Sequence, residues 1–360
     1  MQPRSVSFIL TSCVIAFLSL SGCLDITTTS QVYSDGSIER SITMTGDSAA
    51  VYGGRYPLDL DSTWTRTYAP VEGKPGKYAL TAKRKFNDVE EMNRVLGGTF
   101  GKTLQYRFEL ERSFQWFFTV YRYKEINLPT EQFTSRPMTE FLSTEEIAWA
   151  TERLLDKEEA GRAPLTRGDS LAMQAMTPRF EEYTSRNRFE PIFEAFLGGI
   201  RTINDPSLSV EKVLPLKDSL YSRSRDQLNK GNIDTLRIIF ARVLRTSLVE
   251  KAWRASTRDL EEFERKLSFE QDANSHSYVT NVVMPGLITG SNATTIQGAT
   301  ATWKEFKDRA HYFGFTMWVE SRQVNWWAVG IAFVIVVALA IFLVLAVARR
   351  RGVAPTSPVH

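Results

Sequence analysis

The sequence predicts an α+β fold: an antiparallel, strand-rich extracytoplasmic domain with a helical insertion, plus one C-terminal transmembrane helix. Three observations predict it. Short alternating or aromatic-rich segments bounded by Gly, Pro, Asn and Asp occupy residues 24–125 and recur over 267–325. The stretch between them, 126–266, carries capping residues followed by apolar residues at helical spacing. Trp326 to Ala348 is an uncharged apolar run, long enough to cross a hydrocarbon core of about 30 Å.

Residues 1–22 read as a signal peptide. Arg4 and the α-amino group form a positive start, and Phe8 to Leu20 is apolar but short for a membrane span. Leu20-Ser21-Gly22-Cys23 then resembles the lipobox of bacterial lipoproteins. The resemblance implies that Cys23 is the lipidated first residue of the mature chain, its thiol accepting a diacylglyceryl group. Cleavage before Cys23 would discard Cys13, so neither a disulfide nor thiol catalysis is expected.

In the N-terminal strand-rich part, 23–125, Asp35-Gly36 between Gln31-Val32-Tyr33 and Ile38–Ile42 signals a hairpin. Lys77 to Phe86 reads as a strand. Asn87 or Asp88 caps a short helix that runs to Leu96 and stops at Gly97-Gly98. Leu104 to Leu110 alternates, with Tyr106, Phe108 and Leu110 on one face. Phe114 to Tyr123 is aromatic-rich and suits a strand.

In the helical insertion, 126–266, Ser143-Thr144-Glu145-Glu146 is a capping box that predicts a helix to about Lys157. Arg179 to Leu197 reads as a helix interrupted by Pro191. Asp234 caps a helix carrying Leu236, Ile239, Phe240 and Val243, and Arg258 to Leu267 suits another. In the C-terminal strand-rich part, 267–325, the strands are Ser277–Met284, Thr294–Trp303 and Ala310–Glu320, with Pro285-Gly286 as a turn. Strands on both sides of a helical insert imply that the two strand-rich parts complete one sheet.

The span 326–348 begins with Trp326 and Trp327, indoles suited to the headgroup boundary, and ends at Arg349, Arg350 and Arg351. The positive-inside rule places the tail, 349–360, in the cytoplasm and the main domain outside, the side the signal peptide also demands. The predicted location is therefore the bacterial cytoplasmic membrane. The chain has 44 Lys+Arg and 41 Asp+Glu. Arg4 and the three tail arginines lie outside the ectodomain, which is left nearly neutral. That argues against a nucleic-acid partner and against broad electrostatic adhesion.

Met284-Pro285-Gly286, Gly290-Ser291-Asn292-Ala293, Gly298 and Trp303 precede a C-terminal span with an arginine stop. With Cys23-Leu24-Asp25 and Ser34-Asp35-Gly36-Ser37 near the start, this order resembles LppM-like lipoproteins over about 24–125 and 270–350. The helical middle has no counterpart in it. The resemblance implies a strand-rich envelope domain associated with lipid or glycolipid rather than a reaction, and it carries no catalytic residues. Its Pro-Gly, Asn-Ala and Trp positions are expected to be two turns and a core anchor.

No catalytic constellation and no metal or cofactor site emerges. Gly168-Asp169-Ser170-Leu171 spells the GDSL hydrolase signature, and Asp308-Arg309-Ala310-His311 could supply the rest of a triad. This ester hydrolase is the alternative function. Its serine, however, follows a polar, Pro-broken stretch instead of a buried strand. His276 and His311 stand far apart without a metal-binding spacing, and no Ca²⁺ or phosphate loop appears. Read as one strand, 114–123 puts Phe114, Trp116 and Phe118 on one face and Phe117, Tyr121 and Tyr123 on the other. Such a strand needs cover on both faces. Either the helical part simply packs there, or Phe114, Trp116 and Phe118 line an apolar cleft for an acyl chain. The function expected from sequence is a non-enzymatic envelope module. Its partners would be membrane lipid or another envelope protein.

Overall fold

Alternation in the first two strands sets the architecture. In β1 (Asp25–Val32) Ile26, Thr28, Ser30 and Val32 are buried, and in β2 (Ile38–Asp47) Ile38, Arg40, Ile42 and Met44 are. They pair antiparallel, Asp25 to Thr45 and Val32 to Ile38. Asp35 closes the turn by accepting from Ser37 N and Oγ at 2.9 and 2.7 Å, and Gly36 takes φ +95°. The computed structural model describes residues 24–53, 58, 60–98, 104–151, 166–231, 233–304 and 311–352. Cys23, the signal peptide, Asp308 and the tail beyond Gly352 lie outside them.

The fold is α+β, but the strand-rich parts build two sheets rather than one. The first has the order β3 (Thr65–Pro70), β4 (Lys77–Phe86), β2, β1, β7 (Ser277–Val283), β10 (Thr300–Lys304), β9 (Thr295–Gln297). The second has the order β5 (Tyr106–Gln115), β6 (Phe118–Asn127), β11 (Phe315–Val324), β8 (Leu287–Ser291). Each sheet joins N-terminal to C-terminal strands. β1 pairs with β7 in parallel, against the antiparallel expectation, and β6 with β11 antiparallel. The parallel pair follows from the long helical excursion before β7, which returns the chain in the same direction. A second sheet is needed because the first has one continuous apolar face. Ile42, Met44, Leu80 and Val282 of one sheet share a buried core with Phe108, Tyr121, Met317 and Val319 of the other.

The resemblance-derived structural roles are visible. Gly286 takes φ +81° between β7 and β8, where a Cβ would meet the Arg322 backbone. Asn292 Oδ1 accepts from Trp303 Nε1 at 3.1 Å and Trp318 N at 2.9 Å, and Trp303 is buried.

Across the sandwich, Arg40 donates to both Glu125 oxygens at 2.7 and 2.8 Å and to Ser30 Oγ at 2.8 Å. The ion pair raises the guanidinium's already high pKa against the cost of burial. Both side chains are fully enclosed, so the pair registers one sheet on the other.

This contact also orients the two ends. Ser30 is level with Arg40, and Glu125 is opposite Met317. Tyr121, opposite Ser321, donates to Ser34 O in the β1–β2 turn at 3.0 Å. The β1–β2 turn and the end of β11 at Val324 therefore share the near end, and Leu24 lies at the far end. Six residues of β1 and seven of β11 separate Leu24 from Val324, about 40 Å at ~3.3 Å per residue.

The helical part leaves after Asn127 and returns at Ser277, both at the far end. It comprises α3 (Thr144–Trp149), α4 (Arg167–Ile203), α5 (Val210–Val213), α6 (Lys217–Asn229), α7 (Ile233–Leu244), α8 (Leu248–Ala255) and α9 (Thr257–Ser275). Two short helices, α1 (Ser48–Tyr52) and α2 (Val89–Leu96), belong to the strand-rich part, and Asp88 caps α2 as its sequence predicts. The capping box at Ser143 forms, though α3 is described only to Trp149 and its predicted extension lies largely outside the described residues.

The interruption expected at Pro191 does not occur. α4 runs unbroken through Pro178 and Pro191. Beyond Pro191, Ile192, Phe193, Phe196 and Ile200 are buried in a separate core with Phe240, Val249 and Ala252. That packing outweighs the backbone hydrogen bond the proline removes. At Gly199 a Cβ would overlap the Ala252 carbonyl oxygen and Ser256 Oγ, so α4 and α8 approach through a glycine.

Candidate membrane-facing site

Residues 114–123 are not one strand. Gln115 pairs with Phe118, leaving Trp116-Phe117 as a two-residue turn between β5 and β6. Alternation counted through that turn assigned two faces to what are two strands. Phe114, Trp116 and Phe118 are exposed at the near end and do not lie between sheet and helices. Beyond the turn, Tyr121 and Tyr123 do point into the sandwich.

The structure brings these aromatics to the start of the C-terminal helix, α10 (Trp326–Gly352). Its segment Trp326–Val347 is long and apolar enough to cross a membrane. Phe114 stacks on Trp327 with ring centroids 5.9 Å apart and planes 8° apart. Trp116 meets the same indole edge-on at 6.2 Å. Trp326 is 75% exposed. Arg349, Arg350 and Arg351 continue the helix at its other end.

A single residue, Asn325, separates β11 from α10, and it locks the junction. Its backbone N–H donates to Phe117 O at 2.8 Å, and its Nδ2 donates to Trp116 O at 2.8 Å. Thr119 Oγ1 donates to its Oδ1 at 2.9 Å. Its carbonyl accepts from Ala328 and Val329 in the first helical turn, and Ala328 is buried. The apolar helix is thus fixed to the hairpin tip with no free linker. A lone Asn between a strand and an uncharged run was the available sequence signal for this lock.

At the far end, Leu24 is buried, its N–H donating to His276 Nδ1 at 3.3 Å and its carbonyl accepting from Ser277 N at 3.0 Å. Cys23 lies outside the described residues.

A third cluster, unseen in the sequence, joins the sandwich to the helices. The segment Thr130–Phe133 is buried as it leaves β6. Glu131 accepts from Tyr183 OH at 2.8 Å. Glu270 accepts from Gln132 N at 2.6 Å and lies 3.4 Å from Arg188. His311 Nδ1 shares a 2.8 Å hydrogen bond with Thr130 Oγ1, and its carbonyl accepts from Glu131 N. Burial pushes the Glu131 carboxyl up to about 8, and it raises Glu270 as well. Burial with Arg188 nearby lowers His311 to about 4. The residues are scattered over 130–311, and only folding brings them together.

Of the GDSL-type residues, Ser170 sits in the first turn of α4, where its hydroxyl donates to Thr166 O at 3.2 Å. Asp169 forms a capping box with Thr166. No described hydrogen bond joins Ser170 to His311. Among the described residues, no group of three His, Cys, Asp or Glu side chains is placed to hold a metal ion.

No family model and no curated protein matches the chain. Among solved structures, it is similar to the NMR structure of the folded domain of Mycobacterium tuberculosis LppM. The match covers 84% of this chain and 92% of that one, at 9% identity and a TM-score of 0.28.

Proposed function

We propose that the chain is a non-enzymatic module of a bacterial envelope, attached to the cytoplasmic membrane at both ends of its strand-rich domain. One attachment is the α10 span, and the other is the acyl group on Cys23. The observation that carries this reading is that Leu24 and Val324, the neighbours of the two proposed attachments in the chain, stand at opposite ends of one sandwich, about 40 Å apart by strand rise. An acyl chain fills one leaflet, roughly 15 Å of the hydrocarbon core, so it cannot bridge that distance from an upright domain. With both anchors in one membrane, the strands lie along its surface and the helical part is held beside the bilayer.

Such an arrangement suits a scaffold. Membrane lipid is met at the hairpin end, and the helical part is offered to another envelope protein. The near-neutral charge of the ectodomain gives nucleic acid no footing. The test uses intact spheroplasts and a membrane-impermeant maleimide, with cysteines placed at Ser207 in the helical part or Ser357 in the tail. Labelling at Ser207 and protection at Ser357, with a diacylglyceryl mass on the Cys23 peptide, is the expected result. Protection at Ser207, or an unmodified Cys23, would reject the reading.

A further inference from the structure

We propose that the Gln115–Phe118 turn is a lipid-inserting tip that enters the headgroup boundary beside α10. This rests on the reading of α10 as a membrane span.

The composition of the turn is unusual. A two-residue hairpin loop whose first central residue has positive φ normally takes Gly there, with Asn or Asp in related turns. Here the central residues are Trp116 and Phe117, and Trp116 takes φ +42°. Nothing in the hairpin's own folding calls for a bulky ring in that conformation. The rings are also exposed. Phe114, Trp116, Phe117 and Phe118 are 55%, 53%, 40% and 43% exposed within a segment, 113–119, that has no charged residue. Such a tip is costly in water, whereas the headgroup boundary suits the Trp116 indole and its acyl side takes the Phe rings.

The contacts of the tip identify what covers it. Asn325, the residue that precedes the span, donates to both turn carbonyls, and Phe114 stacks on Trp327. If Trp327 lies at the boundary, the rings in contact with it lie there too. The occupant is therefore a phospholipid surface and not a soluble partner. Arg112 and Arg322 stand behind the tip, two to three residues back along their strands, about 7–10 Å at ~3.4 Å per residue. That is within reach of headgroup phosphates. The tip acts as a third contact, fixing the rotation of the sandwich about the span.

Photo-crosslinking in the full-length chain, reconstituted in phospholipid nanodiscs, tests this. Benzoylphenylalanine replaces Phe117, Trp326 or Ser207 in separate variants, and lipid adducts are counted by mass spectrometry. Adducts at Phe117 comparable to those at Trp326 and far above those at Ser207 are expected. Adducts at Trp326 without adducts at Phe117 would overturn the tip while leaving the span in place. Absence at both would overturn the span reading and the tip with it.

Discussion

Replacing Glu131 with Gln should remove most of the alkaline sensitivity of the junction between sandwich and helices. Glu131 is enclosed by Tyr183 and Arg188 of α4, Glu270 of α9, and the segment bearing His311. Its carboxyl has an ordinary value of 4.5 and a folded value of about 8. The folded junction therefore retains a proton that the opened state releases. The stabilisation is full below pH 4.5 and is lost progressively as pH rises toward 8. At 1.36 kcal/mol per pH unit, the loss reaches about 5 kcal/mol. His311 works on the acid side: a neutral buried imidazole at about 4 costs stability as pH falls from 6.5 toward 4. Between pH 4.5 and 6.5 the two slopes oppose each other, so the junction should stay tight there and loosen as pH rises from 6.5 toward 8. The assay is hydrogen exchange at the Gln132 and Phe133 amides in the full-length chain, converted to opening free energies between pH 5 and 9. Glu131→Gln keeps an acceptor for Tyr183, so it should flatten the slope between pH 6.5 and 8 and uncover the His311 limb below pH 6.5. An unchanged alkaline slope would refute the assignment of the proton to Glu131.

Three further outcomes follow from the packing. Gly199→Ala should destabilise the helical part by about 1–3 kcal/mol, because its Cβ meets the Ala252 carbonyl; thermal unfolding read by circular dichroism would show it. Glu125→Leu should cost about 3–5 kcal/mol by stranding the buried Arg40 charge, and the Arg40→Met/Glu125→Leu pair should recover most of that; a double-mutant cycle in denaturant measures the difference. Ser170→Ala should leave stability nearly unchanged and abolish no esterase signal, since its hydroxyl serves only Thr166 O among the described contacts; a fluorophosphonate that labels the wild type and spares this variant would contradict that.

Local signals in the sequence were legible where local physics decides the structure. Asp35-Gly36 made its hairpin, Lys77–Phe86 its strand, Asp88 and Ser143 their caps, and the apolar run after Asn325 its helix. The misreadings share a cause. Trp116-Phe117 looked like strand because β-propensity and turn chemistry disagree there, and the lock to Asn325 settles it. Pro191 looked like a break because the packing of Phe193 and Phe196 cannot be seen from the chain alone. The pairing of β1 with β7, and the meeting of Glu131, Glu270 and His311, join residues far apart in the chain that no periodicity links. Cys23, Trp326 and Phe114 each read as separate features. That Leu24, next to Cys23 in sequence, and the aromatics beside Trp326 stand at two ends of one sandwich required the register of both sheets.

The most direct test of the two-anchor arrangement is the height of the far end above the membrane. A donor dye on a cysteine at the exposed Ser275 would report energy transfer to acceptors in the outer leaflet, in the wild-type background and in Cys23→Ala. Strong transfer is expected with the acyl anchor present and a clear fall without it, as the far end lifts away while the span holds. Equal transfer in both proteins would contradict it.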